Sequence, residues 1–390
     1  MLIKEEFLKI IRSPRMLVML FMLCLLGINI FTDFTEWKKT VGNIDEYNEY
    51  ADGLNGEIDF STIKKPVSYM DDDGRYHFAD ETKSNNDKIR AVVQERYYYV
   101  AERNKGWWSS EEEQLEYPYT YTGIENYLSC LRNNGMEDSY KYRYYAKELL
   151  MLNQVGAPQF VNSVGTNELL QSLFGMQTSF IAICISLIIL TAPIFSGEDA
   201  NNMDMIILST KNGRGKDVRA KLVSSALIGF LWITVLYLVL LLIHLLLYKN
   251  FSALWVNMNW IPVFHGSPYH LTTIQLIFWG YIAYLIGGLA VNMIYCLFSA
   301  MLKSAVLSFL SCFLITLLPI FFNPNGLTGM IAAHFPQISM SADMLFGSYI
   351  AVNIFGRPIL YSITAPVLSI FIILCICLVI KRLYVKIRIH

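Results

Sequence analysis

Six stretches of the chain, at residues 16–32, 173–196, 222–248, 271–302, 304–322 and 358–380, contain no Asp, Glu, Lys or Arg. A bilayer core about 30 Å thick is crossed by roughly 20 apolar helical residues, because each residue rises about 1.5 Å and every backbone polar group is satisfied inside the helix. Each stretch is long and apolar enough to be read as one crossing. The fourth exceeds what one crossing needs, so part of it is expected in the interface. Composition agrees, since 54% hydrophobic and 16% charged residues among 390, with a mean hydropathy of +0.38, do not describe a water-soluble surface.

The formal net charge of -1 hides an uneven distribution. Residues 33–172 hold 15 basic and 25 acidic side chains, and the remainder holds 16 basic and 7 acidic. There is no uniformly basic surface for nucleic acid. One acidic block interrupts a basic, apolar chain. Basic flanks are retained in the cytoplasm. With the N-terminus inside, fourteen Lys/Arg fall on the cytoplasmic side, and the two short outer loops hold only Lys249 and Arg357. The expected protein is therefore a multi-pass protein of the cell membrane with both termini cytoplasmic and the acidic block outside. A cleaved signal peptide is the competing reading of the N-terminus. No small-x-small site closes the segment, which ends Asn29-Ile-Phe-Thr-Asp-Phe34.

Six of the seven cysteines lie in spans, leaving Cys130 alone in the outer block, which therefore has no internal disulfide. Cys375-Ile-Cys377 sits on different sides of a helix and reads as apolar filling rather than a metal site. Within the outer block, Ile89, Val92, Val93, Tyr97 and Val100 recur at helical spacing, as do Ile124, Tyr127, Leu128 and Leu131 before Asn134-Gly135. Ser110-Glu-Glu-Glu113 has capping-box spacing. A further helix is expected over 137–154, and Asn167-Glu-Leu-Leu170 is expected to run straight into the second span. The fold class is thus all-α: six transmembrane helices, with a mostly helical extracellular domain of residues 33–172 inserted between helices one and two.

That domain holds fifteen of the 24 tyrosines. Trp107, Trp108, Tyr117, Tyr119 and Tyr121 offer large, rigid, amphipathic contact area suited to recognising an extracellular molecule, although the same residues can pack a small domain or rest on lipid headgroups. Asp71-Asp-Asp-Gly74 lacks the alternate ligands and distal Glu of a calcium loop and reads as a solvated turn.

Catalytic chemistry is missing. There is no His-x-x-x-His, paired Cys-x-x-Cys, nucleophile elbow or intramembrane acid. Residues 218–342 contain no carboxylate, which argues against a proton-coupled carrier. Thr210-Lys-Asn-Gly-Arg-Gly-Lys-Asp217 departs from a phosphate loop at its first Gly and at the Ser/Thr after Lys216. His244 is expected to snorkel at the outer end of span three, while Asn29 and Asn292 are expected to bond across helices. Ala283, Gly287 and Ala290 make a small-residue face for close helix packing.

The informative inner segment is 197–221. Glu198 and Asp199 suit the N-terminus of a short helix with Met203, Ile206 and Ile207 on its apolar side. Asn212-Gly213 breaks it, and a basic helix from Arg214 to Lys221 leads into span three. Near the N-terminus Ile3, Phe7, Ile10 and Ile11 form an apolar face, with Ser13-Pro14 as N-cap and first-turn proline of span one.

The acid after span two, the apolar helix, Ser209-Thr210, Arg214 and Lys221, together with the six-span layout, resemble permease subunits of bacterial ABC transporters of the ABC-type-2 exporter class. Asn201-Asn202 stands where many relatives have Gly-Thr, and the outer domain is larger than the bare core requires. The apolar connection 323–357 resembles the re-entrant helices that close the outer end in that family. The resemblance implies a cytoplasmic elbow at 1–15, a coupling loop at 197–221, an outer re-entrant segment at 323–357 and a cytoplasmic tail at 381–390. It implies docking on a separate ABC ATPase through Glu198, Asp199, Met203, Ile206 and Ile207, with Arg214 and Lys221 anchoring the exit and the elbow contributing Phe7 and Arg12. It further implies pairing with a second permease chain, identical or related, in the bilayer. No cofactor is expected in this chain; ATP and Mg would be bound by the partner ATPase. The expected cargo is a peptide, antimicrobial or lipid-like molecule moved outward. The alternative is a membrane receptor or sensor whose outer domain binds a ligand.

Overall fold

The computed structural model describes residues 2–58, 68–70, 76–78, 89–90, 92–101, 120–156, 159–175, 178–200, 215–249, 251–302, 304–318 and 334–386. The described chain is mostly helical. A short amphipathic helix α1 (Leu2–Ile11) turns at Ser13-Pro14 into α2 (Arg15–Val41). Pro14 itself occupies the N-cap position of α2, and the Ser13 hydroxyl donates back to the Ile10 carbonyl at 2.7 Å instead of capping the new helix. Being 27 residues long, α2 rises about 40 Å. It therefore crosses a bilayer and continues into the domain inserted after it.

That domain contains α3 (Ile44–Asp52), a small hairpin of β1 (Ser68–Met70) and β2 (Tyr76–Phe78), a helix at 92–101 (α4), α5 (Tyr121–Asn133) and α6 (Tyr140–Val155). The expected periodicities lie on α4 and α5. Helix α5 stops at Asn133, and Gly135 takes a φ of 68°, a left-handed turn that glycine enters without steric cost. Helix α6 starts later than expected because the Ser139 hydroxyl accepts from the Tyr142 N–H and caps it there.

The chain then forms α7 (Val164–Phe174), α8 (Thr178–Thr191) and α9 (Pro193–Ala200). Contrary to expectation, α7 does not run directly into the membrane helix, because Gly175 is extended (φ -68°, ψ 144°) and ends it. Next come α10 (Lys216–Tyr248), three 3-10 turns between Ser252 and Phe264, α11 (Thr273–Met301) and α12 (Ala305–Leu317). After a turn at Ile338–Met340 and α13 (Ala342–Phe346), a second hairpin pairs β3 (Ala351–Ile354) with β4 (Arg357–Leu360) before α14 (Tyr361–Lys386). The two hairpins correct the all-α expectation. The last helix begins at Tyr361, not at residue 358, because residues 357–360 belong to β4.

Five helices among the described residues are long and apolar enough to span: Arg15–Lys39, Phe180–Glu198, Lys216–Tyr248, Thr273–Met301 and Tyr361–Tyr384. The expected fifth crossing is represented by the shorter apolar α12, and residues 319–333 lie outside the described ones. Leu17, Phe21 and Ile28 on α2 and Val367, Phe371 and Leu374 on α14 stay exposed, an apolar exterior that suits lipid rather than water. Inside, α11 is the central post. A Cβ on Gly287 would lie 2.6 Å from Ser339 Oγ, and one on Gly288 would lie 2.6 Å from Ile233 Cδ1. The small-residue face therefore admits the 336–340 segment on one side and α10 on the other. Asn292 donates to the Ser225 carbonyl at 3.0 Å, bonding across helices as expected. Asn29 instead lies on the exposed side of α2.

At the end of the bundle away from the N-terminus, α2 and α10 emerge together into the inserted domain. Phe34 meets Tyr248 edge-on at 5.2 Å, and both belong to a core shared with Val41, Tyr47, Ile89 and Phe160. Gly165 permits this crossing, since a Cβ there would overlap Tyr248. His244 does not snorkel. It is 3% exposed, bonded to the Leu240 carbonyl and the Ser172 hydroxyl.

Candidate functional site: a buried ion-pair junction

At the N-terminal end of the bundle three elements converge. Helix α1 lies along the first turns of α10, and the Ser224 hydroxyl donates to the Ile3 carbonyl at 3.0 Å. The apolar face expected for the elbow is used there: Ile10 is buried and Phe7 packs against the same core. Its polar face carries Lys9, whose ammonium donates to Glu198 Oε1 at 2.8 Å. Glu198, in the last turns of α9, uses its other oxygen to accept from Lys221 of α10. One turn earlier on α10, Asp217 Oδ2 lies 2.8 Å from the same ammonium.

Lys221 is only 3% exposed, and Glu198 9%. Two carboxylates surround the Lys221 ammonium, and the Phe195 ring lies 5.3 Å from it. Removing an ion from water is costly, and only close partners with satisfied hydrogen bonds offset the loss. This junction therefore fixes geometry more than it adds stability. Lys9 is largely exposed and also meets Glu6 at 3.7 Å. Burial pushes the Glu6 carboxyl above its usual range, against the pull of Lys9 and Lys221.

Directly behind the junction the second crossing is broken. Pro193 lacks an N–H and starts α9 afresh after Thr191. The groups freed by the break are met by α11: Ser299 Oγ accepts from the Phe195 and Ser196 N–H groups at 3.0 and 3.2 Å and donates to the Ala192 carbonyl. Ser308 of α12 donates to that same carbonyl at 3.1 Å. A displacement of α9 would thus be felt by α10 through Glu198 and by α11 through Ser299.

Of the residues singled out from sequence, Glu198 and Lys221 are brought together, and Phe7 packs against the apolar core to which Phe195 and Val218 belong. Arg12 is exposed past the end of α1, and Asp199 follows Glu198 in α9. Met203, Ile206, Ile207 and Arg214 lie outside the described residues, as do Trp107, Trp108, Tyr117 and Tyr119. Tyr121 donates to Asn153 Oδ1 at 2.6 Å, which ties α5 to α6. Sequence reasoning missed Lys9, Asp217, Ser299 and Ser308. Only Asp217 left a signal, its i,i+4 spacing to Lys221.

At the opposite end α6 lies against the β3–β4 hairpin. Tyr140, Arg143, Tyr144 and Lys147, one face of the helix, donate to the carbonyls of Ala351, Gly356, Tyr349 and Pro358. This row joins the inserted domain to the start of α14.

The described residues contain no cluster of three or more His, Cys, Asp or Glu that could hold a metal. The fold and its junction define a multi-pass membrane protein whose N-terminal helix, second crossing and third crossing are tied into one body by buried charge. The chain matches the family described as ABC-2 family transporter protein over residues 1–382 and belongs to it. Members of this family are membrane subunits, generally non-catalytic, that partner with ATPase subunits. No curated protein and no solved structure matches the chain at significant similarity.

Proposed function

We propose that the chain is the transmembrane subunit of an ATP-driven exporter, powered by a separate ATPase that docks on the 197–221 loop. The observation that carries this is the Lys9–Glu198–Lys221–Asp217 junction, because it couples both ends of that loop to each other and to α1. Helix α10 continues from the junction without a break for 33 residues, about 50 Å. A push on the loop is then delivered along a rigid rod to Tyr248 and the inserted domain. Met203, Ile206 and Ile207 supply the apolar docking side, and Glu198 and Lys221 act as its frame rather than as contact surface. Lys and Arg distribution supports cytoplasmic termini and an outer inserted domain. A second permease chain, identical or related, completes the pathway, and ATP and Mg are held by the ATPase. The large outer domain and the carboxylate-free 218–342 region favour a peptide, antimicrobial or lipid-like cargo over a metal ion or proton-coupled solute.

The test is recovery of a Walker-motif ATPase with the tagged full-length chain from native membranes. Wild type should retain it, and Ile206→Asp with Ile207→Asp should lose it while remaining inserted. If wild type captures no ATPase yet still binds an outer ligand, the protein is the receptor or sensor that is the alternative reading.

A further inference from the structure

A cavity of about 190 Å³ opens in the inserted domain where four chain segments meet. Its walls come from α3, from α4, from residues 160–167 and from the turns between α10 and α11. None of its lining residues is Asp or Glu. Tyr99 and Phe160 contribute aromatic surface, while Arg96, Ser163, Trp260 and His265 contribute groups that donate hydrogen bonds. The indole N–H of Trp260 is buried and finds no acceptor among the described residues. A buried donor without an acceptor costs free energy, so such a group marks a place where an acceptor can be supplied.

The walls are held from behind. Gly56 and Phe160 exchange both backbone hydrogen bonds, at 3.0 and 2.9 Å. Asn162 N–H donates to Asn55 Oδ1 at 2.7 Å and its side chain donates to Asn48 and Asp52. Asn167 Oδ1 accepts from the Val263 N–H at 3.1 Å, joining the 160–167 segment to the far wall. The space is therefore framed by hydrogen bonds and does not depend on a ligand for its shape. An apolar cavity of roughly 150 Å³ accepts benzene, so this one has room for an aromatic ring and a carboxylate beside it. Burial raises the half-buried Glu168 carboxyl above its usual range, and the charge of Arg96 opposes that rise without reversing it. A guanidinium is a planar, always-charged fork of donors whose geometry matches a carboxylate.

We propose that this cavity binds a residue with an aromatic side chain and a free carboxylate, supplied either as a free amino acid or as the C-terminal residue of a peptide. The carboxylate lies toward Arg96 and Trp260, and the ring lies between Tyr99 and Phe160. This is equilibrium binding and stands whether or not the chain exports its ligand.

Isothermal titration of the full-length protein in lipid nanodiscs tests it with three probes: phenylalanine, Ala-Ala-Phe, and Ala-Ala-Phe amide. Binding of phenylalanine identifies a free amino-acid site, and binding of Ala-Ala-Phe without phenylalanine identifies a peptide C-terminus. In either case, the amide should bind at least about tenfold more weakly than the acid, because it forfeits a charge-assisted hydrogen bond. Val100→Trp, which places an indole in the cavity, should abolish binding, and Arg96→Lys should reduce it and narrow the acid-to-amide ratio. No binding of phenylalanine or Ala-Ala-Phe overturns the proposal, as does equal binding of acid and amide. Wild-type affinity in a folded Val100→Trp variant, or in Arg96→Lys should the first not fold, overturns it too.

Discussion

At the scale of single residues, burial decides which charges matter. Lys9 and Lys221 contact the same carboxylate, but Lys9 is mostly exposed and Lys221 is 3% exposed. Glu198→Ala leaves Lys221 with Asp217 alone and is expected to cost about 3–5 kcal/mol, the range for removing one partner of a buried pair. Lys9→Ala is expected to cost about 0–1 kcal/mol, as exposed pairs do. Denaturant unfolding of the purified chain measures both, and equal small effects would show that the junction is not a buried one. Glu148 of α6 gives a second prediction. Burial raises its carboxyl from 4.5 to about 8. The folded state therefore holds the proton more tightly than the unfolded one. The stabilisation is fully present below pH 4.5 and is lost as pH rises through 8. Thermal midpoints should fall between pH 5 and pH 9, with a shallower fall in Glu148→Gln. An unchanged slope in that variant would place the pH dependence elsewhere. The sequence pointed to Glu198 and Lys221 through their position in the loop. It could not reveal Lys9 as their partner, because 189 residues separate Lys9 from Glu198 and no local pattern encodes that pairing.

At the scale of elements, the break between α8 and α9 is the feature most open to perturbation. Ser299→Ala leaves the Phe195 and Ser196 N–H groups without their acceptor, an expected loss of about 1–3 kcal/mol for a buried donor. Hydrogen exchange at those two amides should accelerate, while Ser308→Ala, whose lost hydroxyl donates to the Ala192 carbonyl rather than accepting from those amides, should leave them protected. Equal protection in both variants would mean that Ser299 does not carry the break. Helix positions were largely legible, because apolar periodicity and breakers such as Gly135 act within a few residues, whereas the Ser139 cap, which starts α6 at Tyr140, was missed. The β3–β4 hairpin was not legible. Its turn places Phe355 at φ 52° and Gly356 at φ 77°, and only Gly356 is a residue that signals such a turn. The strands are short, and donors on α6, more than 200 residues away in sequence, cover several of the hairpin's carbonyls.

At the scale of the whole molecule, two ends do different work around one apolar bundle. The N-terminal end gathers the loop ends and α1 through buried charge, and the other end joins the inserted domain to α10 and α14 through aromatic contacts and the α6 row of donors. Charge-free segments made the membrane class legible from sequence, since lipid excludes charge wherever the chain crosses. The cavity beside Arg96 was not legible, because its walls come from four distant segments. The central claim is that a separate ATPase drives this bundle through residues 197–221. The most direct measurement is photo-crosslinking from a diazirine amino acid substituted at Ile206 of the full-length chain in its native cells, with adducts identified by mass spectrometry. The account predicts an adduct to a Walker-motif ATPase that Ile207→Asp diminishes; adducts only to lipid or to the chain itself would contradict it.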